Sequence, residues 1–487
     1  MNALAFGVVD EFRQERLHSF MGIQQPWNSS HGMSINGMQK RELCITSNRG
    51  RSEQKPFVPV HDALSPKNAH TPVKSFALWG TLLIAGFLLL AAPNHLYAEP
   101  NHSRTWQMLT TGNGHGFQVY NRETGKIEQF LEHPYRFVAP TDTSRTEGIE
   151  RRDLCQDIYF GARINGTSYW LTKSESVVYE TQSHIIHTAT IRDGVQFDIY
   201  FFSPFEYEGN ALVMLIKATN KTDESLNLEL FAKANMKLGI GRPEPDTNNE
   251  VITWYDEPFG HAIETGPGGG NLIYAPIPRE YLVAKKECGQ NSVLHDAVIN
   301  GEDMNGDGNC HGLDDAVLVT QSTHLLEPGE ADWWGQGILF LNNNPVHDQG
   351  TSFRDPRTLE MIRSQWVDYV GERTAEQLHD SALEEMESWR SAQVPKELDT
   401  TERALWRQSE TVLRMGQIRE RNKINNGMPL AALPPGPRHT SWVRDGAYFV
   451  VAMSMMGHHE EARLALDFFL GAEPSSKGFF QNYLNMN

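Results

Sequence analysis

The period of the apolar residues changes once along this chain, and that change limits what it can fold into. Between Gly112 and about Asn342 apolar and polar residues alternate in short runs, at 116–120, 169–172, 176–179, 184–191, 197–202, 211–218 and 226–232. A period of two marks strands with one buried face. Several runs are joined by turn signals, such as residues 220–224 and Arg192-Asp193-Gly194. Many short strands with no helical period between them imply an antiparallel β-sandwich. After Pro356 the spacing shifts to three and four residues, over 359–370 and 374–389, which predicts amphipathic helices following the sandwich. Pro395 interrupts them. Thr400 or Thr401 is placed to cap a further helix, with Leu405, Val412 and Met415 or Gly416 as its inward stripe. An Asn, Gly and Pro-rich loop over 425–437 precedes a helix from about Asp445 to Met456, ended by Gly457. Another helical run, 460–470, is broken at 474–478. No internal repeat or low-complexity tract stands out.

A hydrophobic content of 39% over 487 residues excludes disorder of the whole chain and allows two or three domains. The formal net charge is −18, and the first 74 residues are not its source, since they carry nine Lys and Arg against six Asp and Glu. Such an acidic body repels nucleic-acid phosphates and suits an uncharged substrate such as a polysaccharide.

The leader, residues 1–74, is polar and irregular and is expected to be disordered. Residues 75–98 hold the uninterrupted apolar stretch Phe76 to Ala92, preceded by Lys74 and followed by Pro93, Asn94 and the small-residue exit at Ala98. Two readings compete. One is an export signal cleaved after Ala98, favoured by that exit and by the charged start. The other is an uncleaved membrane anchor through 76–92, with the body outside the cytosol. Either way the mature part is expected to be periplasmic or extracellular. Cysteines there meet oxidising conditions, and Cys288 and Cys310 flank a Gly, Asn and Asp-rich segment. A disulfide between them and a pair of buried thiols are both compatible with the spacing. Cys155 has no evident partner, and Cys44 lies in the leader.

The chemistry concentrates in Arg438 to Leu470. A Pro-rich loop delivers Trp442, Arg444 and Asp445 to a helix start, where backbone N–H groups and the dipole favour the carboxylate. Arg offers a planar fork of donors and Asp paired acceptors for neighbouring sugar hydroxyls, while Trp442 can lie against a pyranose face. The bland alternative is a cap plus a surface ion pair.

Trp442, Arg444 and Asp445, followed by Gly457, Glu461 and Ala462, resemble the Trp-x-Arg-Asp, glycine and Glu-Ala pattern of glycoside hydrolase family 15, the glucoamylase family of six-hairpin glycosidases. The likeness of layout runs from about Gly112 to Asn487. It implies a supersandwich domain over 99–355, a helical linker over 356–394 and the start of an (α/α)6 barrel over 395–487. It further implies release of glucose from α-glucans by inverting hydrolysis, without a catalytic cofactor, and places Arg444 and Asp445 in the innermost sugar subsite. The family's general acid and base, both Glu, stand on later barrel loops, roughly 6.5 to 9.5 Å apart. They are therefore expected to be missing from this chain, which reads as a truncated and inactive fragment with no catalytic residue of its own. A non-catalytic, calcium-stabilised carbohydrate-binding module and a sugar phosphorylase of the same architecture are the alternatives.

A second motif lies inside the sandwich region. Asp303, Asn305, Asp307, Asn309, His311 and Asp314 follow the spacing of a calcium loop, with Gly308 at its sixth position, and resemble the dockerin variety with an exit helix beginning at Ala316. The expectation is a bound structural Ca2+, against the alternative of a solvated turn. A single loop without a clear entering helix argues against a cohesin partner. Trp333 and Trp334 read as a strand packing on the linker helices. His458 and His459 lack matched metal ligands.

Overall fold

A computed structural model describes residues 107–135, 153–238, 250–256, 260–266, 270–277, 285–304, 306–313, 316–342, 359–390, 392–421, 423–435, 440–472 and 483–484. All of them belong to one compact unit, Asn94–Asn487. The leader and the apolar stretch 76–92 lie outside the described residues. Among the described residues no helix is long and apolar enough to cross a membrane.

In chain order the strands are β1 (Met108–Gly112), β2 (Phe117–Asn121), β3 (Lys126–Leu131), β4 (Cys155–Ile164), β5 (Thr167–Trp170), β6 (Ser176–Tyr179), β7 (Ile186–Arg192), β8 (Val195–Phe202), β9 (Asn210–Asn220), β10 (Leu226–Met236), β11 (Glu250–Tyr255), β12 (His261–Thr265), β13 (Gly270–Ile277), β14 (Lys285–Gln290), β15 (Cys310–Leu313), β16 (Ala316–Leu326) and β17 (Ala331–Asn342). They form two antiparallel sheets. One has eight strands in the order β1-β2-β3-β4-β10-β16-β14, with β5 on β4, and the other nine, in the order β15-β11-β12-β13-β17-β9-β8-β7-β6. Between the sheets lies a core that includes Phe160, Leu228, Leu230, Phe197, Ile199, Met214 and Trp334.

A helical layer follows, with α2 (Leu359–Gly371) and α3 (Ala375–Trp389) after the short α1 (Asn291–Ile299), then α4 (Thr400–Met415), α5 (Val443–Met455) and α6 (His459–Gly471). Helices α2 and α3 cover the outer face of the nine-stranded sheet, where Ile362, Trp366, Val370 and Leu378 pack on Tyr200, Val213, Leu215, Ile273 and Leu339. This is why β13 is buried at every position and β9 loses its alternation, as expected for strands covered on both faces. Gly337 makes the seat: a Cβ there would lie 2.6 Å from the Trp366 ring. Trp334 is fully buried in the core, while Trp333 stacks on Tyr200 and meets His379 of α3.

Three expectations need correction. The helix α1 was not legible; it is short and buries only Leu294 and Val298. The cap of α4 is Asp399 rather than Thr400 or Thr401, in a reciprocal capping box with Glu402. The inward face of α4 also departs from the apolar stripe at two positions: Leu405 is 66% and Val412 37% exposed, while Met415 and Gly416 are buried as expected, together with Glu410, Thr411 and Arg414. Charge pairing with neighbouring elements outweighs the apolar stripe there.

Candidate functional site

The loop that leads to α5 is pinned from two sides. Just past α4, Ile418 N–H donates to Met428 O and Gly427 N–H to Ile418 O, each at 2.9 Å. Gly427 has φ +85°, and a Cβ on it would sit 2.4 Å from Leu464 O of α6, so only glycine permits this approach. On the sandwich side, Arg419 N–H donates to Gly114 O at 3.1 Å, and the Thr110 hydroxyl of β1 donates to Pro434 O. Asn113 secures the β1–β2 turn by donating to Pro204 O, Tyr207 O and Gly209 O. The Pro434–Pro435 peptide is cis.

This scaffold ends in β18 (Ser441–Trp442), paired with β19 (Tyr483–Leu484), and the chain then turns into α5. Half-buried Trp442 is the N-cap residue and gives no side-chain cap, so the first-turn N–H groups are left without that internal acceptor. Arg444 and Asp445 occupy the first turn. Arg444 Nε lies 3.5 Å from Asp445 Oδ1, and their side chains are 73% and 34% exposed. Gly446 lets α5 close on α6, since a Cβ there would fall 2.0 Å from the Phe469 ring. Phe449 and Met453 face inward onto Ala462 and Ala465, whereas Tyr448, Val451 and Met455 share the exposed side with Arg444.

The Glu461–Ala462 pair has a packing role. Glu461 Oε1 accepts from Trp389 Nε1 at 2.6 Å, its backbone oxygen accepts from Gln417 Nε2 at 2.8 Å, and Ala462 is buried. His458, which the sequence left without a partner, stacks on Trp389 at 3.7 Å between ring centroids. It also contacts Glu410 Oε1 at 3.2 Å, and Glu410 Oε2 meets Arg407 at 2.8 Å. Burial raises the Glu410 pKa, but the hydrogen bonds from His458 and Arg407 outweigh it and hold the carboxyl below its usual range. Arg414 grips Glu385 through two nitrogens and lies over Trp389 and Phe205. These groups join sandwich, linker and helical layer. Residues spread over α3, α4 and α6 give no local pattern by which the sequence could reveal them.

Cys288 on β14 and Cys310 on β15 form a disulfide, Cα atoms 5.7 Å apart. Since β14 and β15 are edge strands of different sheets, the bridge fastens the two sheets together. The segment between them is not a helix-flanked calcium hand. Helix α1 precedes it, but the exit expected to be helical from Ala316 is strand β16, and His311 lies on β15 paired with Val251. Asp307 accepts from Asn309 N–H at 2.9 Å, and the Asn309 side chain accepts from Trp254 N–H at 2.8 Å. Asp303 is exposed, and Asn305 and Asp314 lie outside the described residues. Among the described residues, Asp307 and Asn309 serve a turn that docks on β11.

No family model matches the chain, and no curated protein matches it. Among solved structures it is similar to a bacterial glucoamylase complexed with acarbose, at 12% identity and a TM-score of 0.46, over 78% of this chain and 52% of that one. It is also similar to a protein described as a kojibiose phosphorylase, from the human microbiome, at 8% identity and a TM-score of 0.36, over 63% and 39%. A galactose mutarotase related enzyme from Lactobacillus acidophilus matches at 8% identity and a TM-score of 0.30, over 49% of this chain and 98% of that one. The chain spans about half the length of the glucoamylase. Identities this low carry no statement about substrate or reaction.

Proposed function

We propose that this chain is the N-terminal part of an exported, glucoamylase-like glycoside hydrolase, in which Trp442, Arg444 and Asp445 hold an α-glucan at the mouth of an (α/α)6 barrel. The observation that carries this reading is the state of the first turn of α5. Elsewhere in the helical layer Glu385, Glu410, Arg407 and Arg414 are committed to contacts between elements. Arg444 and Asp445 touch each other, and remain exposed enough to donate to and accept from sugar hydroxyls. The exposed stripe of Tyr448, Val451 and Met455 supports a helix built to pack against further helices, as in a barrel. The Cys288–Cys310 bridge agrees with export.

In the whole enzyme, two carboxyl groups on other barrel loops would flank the scissile bond, one protonating the leaving oxygen and one activating water. The reading assigns neither to this chain. Calorimetric titration with maltooligosaccharides tests it: binding should occur without release of glucose, and Arg444→Ala or Asp445→Ala should weaken it about tenfold, the worth of a hydrogen bond to a charged group. Affinity unchanged in both variants would remove the assignment. In a longer chain that does cleave glucans, phosphate dependence would separate phosphorolysis from hydrolysis.

A further inference from the structure

The turn between β4 and β5 is a two-residue hairpin. Ile164 pairs with Thr167, and the central residues, Asn165 and Gly166, have φ +46° and +90°. Asn-Gly is the sequence such a turn favours, because both positions need positive φ. Asn165, Gly166 and Thr167 are exposed, and a Cβ added to Gly166 would meet no atom within 4 Å. The Asn165 side chain is held at one atom. Its Oδ1 accepts from Asn227 N–H of β10 at 3.1 Å, whereas among the described residues Asn165 Nδ2 and Gly166 N–H have no hydrogen-bond partner.

The other Asn-Gly pairs among the described residues, at Asn113, Asn300 and Asn426, each have a reacting group already bonded. Asn113 is 1% exposed, and its Nδ2 donates to the backbone oxygens of Pro204, Tyr207 and Gly209. At the end of α1, Gly301 N–H donates to Val298 O at 3.2 Å, and Gly427 N–H donates to Ile418 O at 2.9 Å.

We infer that Asn165-Gly166 is a site of spontaneous self-modification, in which the Gly166 backbone nitrogen attacks the side-chain amide of Asn165. Gly166 N gives its proton to hydroxide and bonds to Asn165 Cγ, an attack between neighbouring groups of one chain. The charge that gathers on Oδ1 is stabilised by Asn227 N–H, which is in place beforehand. The Cγ–Nδ2 bond then breaks, Nδ2 takes a proton from water and leaves as ammonia, and a five-membered succinimide remains. Water adding at Cγ opens that ring to aspartate. Water adding at the main-chain carbonyl carbon of Asn165 opens it to isoaspartate, with the chain rerouted through the side chain. Water is the only co-reactant. Either product adds a negative charge to the turn, and isoaspartate also lengthens the loop that fixes the Ile164–Thr167 register. The inference does not depend on the sugar-binding reading of α5, so each stands or falls alone.

The test is to incubate the folded full chain at mildly alkaline pH in heavy-oxygen water and to follow its Asn-Gly peptides by mass mapping. Electron-transfer fragmentation separates aspartate from isoaspartate. Asn165 should convert about tenfold faster than Asn113, Asn300 or Asn426, the rate that breaking one hydrogen bond beforehand is worth. Isoaspartate should be among its products. In urea, where no turn is held, the rates of all these positions should converge. Gly166→Ala should slow conversion of Asn165 by crowding the nitrogen, and reading the same variant in urea keeps that comparison independent of its folding. Conversion of Asn165 no faster than the other positions in the folded chain overturns the inference. So does a product without isoaspartate, which marks direct hydrolysis, or a rate that Gly166→Ala leaves unchanged in urea.

Discussion

Gly427 combines a left-handed backbone, φ +85°, with the carbonyl of Leu464 where a side chain would begin. Gly427→Ala should therefore destabilise the chain by about 1–3 kcal/mol in urea unfolding, because backbone cannot move aside as a flexible side chain can. Thr181 and Gln182 make the opposite case. Both have positive φ without being glycine, and Gln182 O accepts from Arg390 and Thr411, each at 2.7 Å. Gln182→Gly keeps that carbonyl and relieves the backbone, so its melting temperature should be unchanged or raised; a clear fall would show that the side chain matters. At this scale the sequence was partly legible. Trp442, Arg444 and Asp445 were visible as a group because they are contiguous at a helix start. His458 was not, because its partners Glu410 and Trp389 come from other helices.

Elements were legible where one face meets water. The run 176–179 coincides with β6, and 359–370 falls within α2. Strand β13, buried on both sides, has no alternation to read, and α4 hides charges behind an exposed Leu405. The contact of α3 with the sandwich also has a pH signature. His379 meets Glu180 at 2.8 Å and Asp380 at 3.0 Å; burial lowers its pKa, but these acids outweigh burial and raise it. A raised histidine contributes stability that is complete below its unfolded pKa, about 6.5, and is lost as pH rises through the folded value. Denaturation midpoints at acidic and mildly alkaline pH should therefore diverge more for the wild type than for His379→Gln. Between the sheets, Cys288→Ser with Cys310→Ser should lower stability by about 3 kcal/mol, the order expected for closing a loop of this size.

On the scale of the molecule, sandwich and helices form one compact unit, and the exposed Tyr448, Val451, Met455 and Leu470 lie in its helical layer. Val451→Lys with Met455→Glu should leave the melting temperature unchanged and reduce self-association in sedimentation, because these side chains are exposed rather than packed in the core. The Thr110–Pro434 hydrogen bond joins positions 324 residues apart. A ribosome releases the amino-terminal sheets first, and domains generally fold in that order. Thr110 and Gly114 are then a finished mould before the loop carrying Pro434 emerges, and a helical layer expressed without them would have to shape the entry to α5 unaided.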